Sequence, residues 1–336
     1  MNVMVTGGAG FVGSICTEQL LAVGSNVLVL DNLATGHREA VPLRARLVEG
    51  DYGDSELVGK LLRDNHIEAI MHFAGETLVE KSMSDPRAYF VTNVKKGLDF
   101  LNTAIEQGVA KIIFSSTAAV YGEPQENVIT ETHPKKPINA YGESKLMFER
   151  ILDWYRRAYG LEYIAVRYFN AAGASMSCGE DHCPESHLIP LLLQSVILSD
   201  REFTIFGDDY ETADGTCVRD YIHVLDIAQA HILALQALQK GYFGEYNLGS
   251  GTGFTVTEVL RAVEEVTGRK VSYKIGPRRD GDPAYLVASN EKVRRELNWN
   301  PKHSALNEIV QSAWKWKRTH PSGYITNSQV VDAAAI

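Results

Sequence analysis

At 336 residues, with 45% hydrophobic and 22% charged residues, the chain has the make-up of a globular enzyme and the length of two or three units of about 100–200 residues. A formal net charge of -9 weighs against nucleic acid or an anionic membrane as partner, because both need an excess of Lys and Arg. The four cysteines (Cys16, Cys178, Cys183, Cys217) include no CxxC pair, no signal-peptide pattern leads the chain, and no apolar run approaches the roughly 18 residues of a membrane span, so a reduced, cytoplasmic protein is expected.

Val3-Met4-Val5 has the length and branching of a buried strand, and Thr6-Gly7-Gly8-Ala9-Gly10-Phe11-Val12-Gly13 follows it into a helical pattern over 11–23. Gly7, Gly10 and Gly13 give a GxxGxxG spacing. Glycine there lets the backbone turn tightly and approach a pyrophosphate, whose charge meets the N-terminus of the helix. A Gly-rich turn without a ligand has the same spelling, so the next element matters. The second strand, Val27 to Leu30, ends in Asp31, where a carboxylate can accept from both ribose hydroxyls and repel a 2′-phosphate; this favours NAD over NADP. A helix N-cap is the plainer role for Asp31. Asp51-Tyr52, after a third strand, is expected to border the adenine.

Further strands follow at Ala69-Ile70-Met71, Lys111-Ile112-Ile113-Phe114 and Tyr163-Ile164-Ala165-Val166, with a helix predicted over 94–107. Such alternation implies a parallel sheet covered on both faces, a doubly wound fold. Among the tyrosines only Tyr141 has a lysine four residues on, Lys145, on the same helix face. A phenol is a poor base near pH 7, and an adjacent ammonium with a cationic nicotinamide would favour the phenolate. Ser115-Ser116-Thr117 extends a strand into a loop where a hydroxyl can reach the oxygen being deprotonated, and Thr117 is the candidate. Read alone, Tyr141 and Lys145 are equally a surface pair, and Thr117 a turn residue.

After Arg167 the rhythm changes to a polar, Gly-rich stretch over 170–186, shorter strands, and turn clusters at 207–215 and 249–253. The fold class expected is α/β: a doubly wound parallel-sheet domain over 1–168, joined by 217–238, and a smaller α/β domain over 169–216 and 239–320, with 321–336 as a weakly ordered tail. Helices predicted over 224–238 and 305–316 would pack the two units together.

By its motifs the chain resembles the extended short-chain dehydrogenases, and within them the UDP-glucose (UDP-galactose) 4-epimerases. The likeness runs through TGGAGFVG, HFAG (72–75), Asn93, SSTAAVYG (115–122), YGESK (141–145), RYFNAAGA (167–174), HLIP (187–190), GDDYETADGTCVRDYIHV (207–224), NLGSG (247–251) and RRDGD (278–282), about nine tenths of the chain. It implies a Rossmann domain holding NAD and a reversible epimerisation at C4 of a UDP-hexose. Tyr141 would take the proton of the 4′-hydroxyl, Lys145 lower its pKa and hold the nicotinamide ribose, and Thr117 bond O4′. By the same resemblance Phe11, Val12, Asp31, Asn32, Asp51, Tyr52, Phe73, Ala74, Asn93 and Phe169 line the cofactor. Asn170, His187, Leu188, Arg219, Tyr221, Arg279 and Asp282 anchor the UDP, with Phe206 near the uracil.

The chain departs from the family pattern at Glu80-Lys81, where Gly-Glu is common, at Thr117, where serine is frequent, and at His187, where asparagine is common. Leu286, four positions after Asp282, stands at the family's gate for sugar size. Being smaller than tyrosine, it is expected to allow UDP-glucose, UDP-galactose and, less well, UDP-N-acetylhexosamines. A core role in the strand Leu286-Val287-Ala288 competes with that. The spacing of Cys178, Glu180, Asp181, His182, Cys183, Glu185 and His187 matches no usual zinc pattern, and no metal is expected. Ala118-Ala119 stand where the related 4,6-dehydratases carry Asp-Glu, so dehydration should fail. A UDP-sugar decarboxylase, an epimerase of another UDP-hexose and a non-catalytic NAD sensor stay open. A homodimer through the helices beginning near Asn93 and Tyr141 is implied by the resemblance.

Overall fold

The computed structural model describes residues 1–198, 202–279 and 282–324. In chain order the first half runs β1 (Asn2–Thr6), α1 (Phe11–Ala22), β2 (Asn26–Asp31), β3 (Arg46–Glu49), α2 (Ser55–Asp64), β4 (Ala69–His72), α3 (Val79–Ser84), α4 (Pro86–Tyr89), a π-helical segment Phe90–Lys96, α5 (Gly97–Glu106), β5 (Lys111–Thr117), β6 (Val128–Ile129), α6 (Ala140–Tyr159) and β7 (Glu162–Tyr168). The second half adds β8 (Asn170–Ala172), α7 (Leu188–Ile197), β9 (Phe203–Phe206), β10 (Val218–Arg219), β11 (Tyr221–His223), α8 (Val224–Leu238), β12 (Gly244–Leu248), β13 (Phe254–Thr255), α9 (Val256–Thr267), β14 (Tyr273–Gly276), β15 (Tyr285–Ala288), α10 (Glu291–Leu297) and α11 (Leu306–Thr319).

The main sheet has seven strands in the order β12-β7-β5-β4-β1-β2-β3, all parallel. Chain direction of the crossovers reverses between β1 and β4, which opens a crevice above their carboxyl ends, the usual ligand position of such sheets. Strand faces alternate: Val3 and Val5 enter one apolar layer with Ile227 and Ala234 of α8, while Met4 enters the other with Val58, Phe100 and Phe148 of α2, α5 and α6. A third core joins α7, α9 and α11 through Leu192, Val263 and Ile309 and supports the smaller unit.

The expected boundaries shift in three places. Gly244–Leu248, assigned from sequence to the smaller unit, is the edge strand of the main sheet, paired with Ile164–Tyr168. Val128–Ile129, from the first half, instead joins a four-stranded sheet in the order β13-β10-β15-β6. The presumed tail begins packed, since Tyr324 is buried against Trp316 and its hydroxyl accepts from the Gly179 N–H at 3.0 Å; positions 325–336 lie outside the described residues.

Candidate active site

α1 starts at Gly10 with no side-chain cap and no acidic residue in its first turn, so its leading N–H groups and dipole are uncompensated and open to an anion. Gly7 has φ 71°, and a Cβ on Gly13 would lie 2.2 Å from the Gly7 carbonyl oxygen. The loop therefore closes only with glycine at both positions. Asp31 is buried; its Oδ2 accepts from the Ala9 N–H and its Oδ1 from the Leu33 N–H, both at 2.9 Å. Each carboxylate oxygen keeps a second lone pair, so the residue that ties down the glycine loop is still able to accept from a ribose.

Asn32 is exposed beside it, its Oδ1 accepting from the Ala34 N–H at 3.1 Å. Asp51 pairs with Lys96 at 2.5 Å; burial acts to raise its pKa, but that ammonium and the Gly53 N–H prevail and hold it below the usual carboxylate value. Tyr52, expected to border the adenine, turns its side chain away from the crevice. Its ring is in the core, edge-on to His72 and Phe100, and its hydroxyl donates to the Thr92 carbonyl, so only its backbone is left to face an adenine.

Phe11 and Val12 open α1 half-buried, with Phe73 packed nearby and Ala74 against Gly7. Asn93 is buried in the π-helical segment and clamps the Glu76 backbone, accepting from its N–H at 2.8 Å and donating to its carbonyl at 3.0 Å. Phe169 is buried with Ala118, Val120 and Tyr121.

Tyr141 lies in the first turn of α6, which Asn139 caps by accepting from the Gly142 N–H at 2.8 Å. Thr117, at the end of β5, accepts from the Ala119 N–H at 3.1 Å, and its hydroxyl hydrogen-bonds the Tyr141 phenol. Lys145 is 2% exposed; its ammonium donates to the Ser115 carbonyl at 3.0 Å and lies 4.9 Å from the centre of the Phe114 ring. Burial pulls the Lys145 pKa down to about 8, with Glu149 acting the other way. Burial pushes the Tyr141 phenol above its ordinary 10, against the Thr117 bond. The protein alone thus leaves the phenol protonated, and a further positive charge is needed to make it a base.

Beyond the carboxyl ends of β7 and β8 lies a cavity of about 380 Å³. Asn170, His187, Leu188, Phe206, Arg219, Tyr221, Arg279 and Asp282 all line it. Arg219 pairs with Asp282, and the Arg279 guanidinium stacks 4.2 Å over Phe206. His187 is bound to Glu180 at 2.8 Å and Glu185 at 3.0 Å. Burial acts to lower its pKa, yet these carboxylates raise it to about 10, so it enters the cavity wall charged. Thr117 and Leu286 are not in that wall, but they adjoin it. Thr117 is the register partner of Tyr168, two residues before Asn170, and Leu286 is the partner of Arg219 while packing against the cluster that contains Ala118 and Phe169. Glu80-Lys81 fall in α3, where Lys81 approaches Glu76 at 3.8 Å.

Sequence reasoning missed Lys96, the Ser115 carbonyl and Cys217. Lys96 and Ser115 act on residues 45 and 30 positions away, and Cys217 reaches the cavity from a separate loop; no local pattern marks any of them. The same fold that places His187 brings Glu180, His182 and Glu185 beside it, with one donor atom from each residue all within 4.8 Å, although their spacing in sequence matches no usual zinc pattern.

Residues 3–249 match the NAD dependent epimerase/dehydratase family. The chain is 48% identical over 327 residues to the UDP-glucose 4-epimerase of Lactobacillus helveticus, covering 96% of this chain and 99% of that protein. A solved UDP-glucose 4-epimerase superposes with TM-score 0.95 at 45% identity, covering 97% of this chain and all of the other. The Brucella ovis UDP-glucose 4-epimerase, solved with NAD, gives TM-score 0.91 at 39% identity over 94% and 98% of the two chains.

Proposed function

The chain belongs to the NAD dependent epimerase/dehydratase family, and from that premise we propose that it interconverts the two configurations at C4 of a UDP-hexose, UDP-glucose and UDP-galactose first of all. The observation that carries this reading is the junction of two sites. The Thr117–Tyr141–Lys145 group stands at the end of β5, and the next strand in the sheet leads within two residues into a cavity lined by Arg219, Arg279 and charged His187.

The residues fit NAD: an uncapped helix start, a loop with no room for Cβ atoms, and a buried acid at the end of β2. When bound, NAD supplies a reversible hydride acceptor for C4. Gly7 to Gly13 would hold the diphosphate, Asp31 the adenosine ribose, and Lys145 the nicotinamide ribose. Tyr141 takes the proton of O4′ as the alcohol is oxidised, and Thr117 holds that oxygen in line with the phenol. Arg219 and Arg279 fix the UDP through charge-assisted bonds. Polar anchors at the nucleotide end leave the sugar free to turn between the two half-reactions. Ala118 is buried among apolar groups, so no acid stands where sugar dehydration would need one.

Leu286, between Arg219 and the Ala118 cluster, sets the size limit for the sugar. A homodimer is supported by exposed apolar residues on the helices concerned, Phe90 and Val91 before α5 and Met147 and Trp154 on α6. The free cysteines fit a reducing compartment, and no helix among the described residues is long and apolar enough to cross a membrane. Incubation of the purified protein with UDP-galactose, UDP-N-acetylgalactosamine and UDP-glucuronate, with identification of products, tests the proposal. UDP-glucose from the first is expected; a decarboxylated or dehydrated product would replace this reading with another.

A further inference from the structure

We propose that Glu180, His182, Glu185 and His187 form a binding site for one divalent transition-metal ion of the zinc class. The site lies in the loop before α7, between the start of α1 and the nucleotide cavity: the His182 ring is edge-on to Phe11 with centroids 6.4 Å apart, and Glu180 and His187 line the cavity. The proposal does not depend on which sugar the enzyme turns over.

Geometry speaks first. Tetrahedral zinc with bonds of about 2.0–2.2 Å needs donors roughly 3.3–3.6 Å apart. Here His182 Nδ1 is 3.3 Å from Glu180 Oε1 and 3.9 Å from Glu185 Oε2, while His187 Nδ1 is 2.8 Å from Glu180 Oε1 and 3.0 Å from Glu185 Oε1. These histidine-to-carboxylate contacts bracket the required spacing, and since one donor atom from each of the four residues lies within 4.8 Å of the others, side-chain rotations on the order of an ångström bring the set into line. Two imidazoles and two carboxylates form a mixed N/O set that suits zinc or cobalt and is too nitrogen-rich for calcium or magnesium.

A second observation is His182 Nδ1, which is shielded from solvent and lies 3.3 Å from Glu180 Oε1 in a contact too poorly aligned to be a full hydrogen bond. Buried polar atoms are seldom left so weakly satisfied. The Glu180 and Glu185 side chains are 7% and 6% exposed, and among the described residues neither pairs with a Lys or Arg. Two shielded carboxylates flanked by imidazoles, with no Lys or Arg beside them among the described residues, suit a divalent cation. A divalent ion bound to both and to two neutral imidazoles gives a site with no net charge. The chain around Glu180 is already fixed, since the Gly179 N–H donates to the Tyr324 hydroxyl and the Tyr324 N–H to Asp181 Oδ2 at 2.9 Å.

The test is a Co²⁺ titration of chelator-treated full-length protein, followed in the visible range, with Zn²⁺ as competitor. Expected are one ion per chain, bands of four-coordinate intensity without thiolate-to-cobalt charge transfer, and displacement by zinc. His182→Ala and Glu185→Gln should each weaken binding at least about tenfold, with far-UV circular dichroism and the metal-free melting temperature showing that each variant is folded. Absence of stoichiometric binding in the parent, a thiolate band pointing to Cys183, or unchanged binding in either folded variant would overturn the site.

Discussion

Burial acts on the two central side chains in opposite senses, raising the Tyr141 phenol and lowering the Lys145 ammonium to about 8. As pH rises through about 8, Lys145 loses its proton and with it the charge that supports a phenolate. The activity ratio of parent to Lys145→Met is therefore expected to be largest below pH 8 and to narrow above it. A ratio constant from the acid to the alkaline side would remove the electrostatic role. Tyr141→Phe keeps the ring but loses the proton carrier, so turnover should fall by about 10²–10⁴-fold with the melting temperature and NAD binding near those of the parent. Near-normal turnover would displace Tyr141 from the mechanism. Helical spacing places Tyr141 and Lys145 on one face of α6, and what singled the pair out from a surface pair was the family resemblance of the motifs around it. The direction of the Tyr52 side chain was not legible, since it is set by a bond to Thr92, forty residues away.

At the scale of elements, the start of α1 is the most constrained feature. Gly13→Ala would put a methyl carbon against the Gly7 carbonyl at 2.2 Å, and neither is a flexible side-chain end. NAD affinity is expected to fall at least about tenfold, with a loss of stability of about 1–3 kcal/mol; a calorimetric titration showing parental affinity would contradict the tight loop. β15 carries the substrate counterpart. Leu286→Tyr should lower the rate on UDP-N-acetylgalactosamine relative to that on UDP-galactose, and an unchanged ratio would return Leu286 to a purely core role. Strand-then-glycine signals made β1, α1 and β2 readable from sequence. The π-helical turn at 90–96 escaped, because its apolar spacing looks like that of an ordinary helix entering α5.

Across the whole molecule, alternation of strands and helices foretold the doubly wound sheet, but not which strands it recruits. Gly244–Leu248 crosses back to pair with β7, and Val128–Ile129 leaves for the smaller sheet, each by pairing between residues far apart in sequence. Local pattern carries no record of such pairings. Asp220 binds the halves together: its carboxylate accepts from the Ser250 N–H at 2.7 Å and the Ala288 N–H at 3.1 Å, fixing the loop after β12 to β15. The cavity wall at Arg219, next to Asp220 in the chain, is thereby held in place. In the proposed mechanism oxidation and reduction at C4 occur without release of the keto sugar, so hydrogen removed from C4 returns to C4. The direct measurement is mass and NMR analysis of the product formed from UDP-galactose carrying deuterium at C4. UDP-glucose that retains deuterium at C4 is expected; deuterium lost to solvent, or a product altered at another carbon, would contradict C4 epimerisation by reversible hydride transfer.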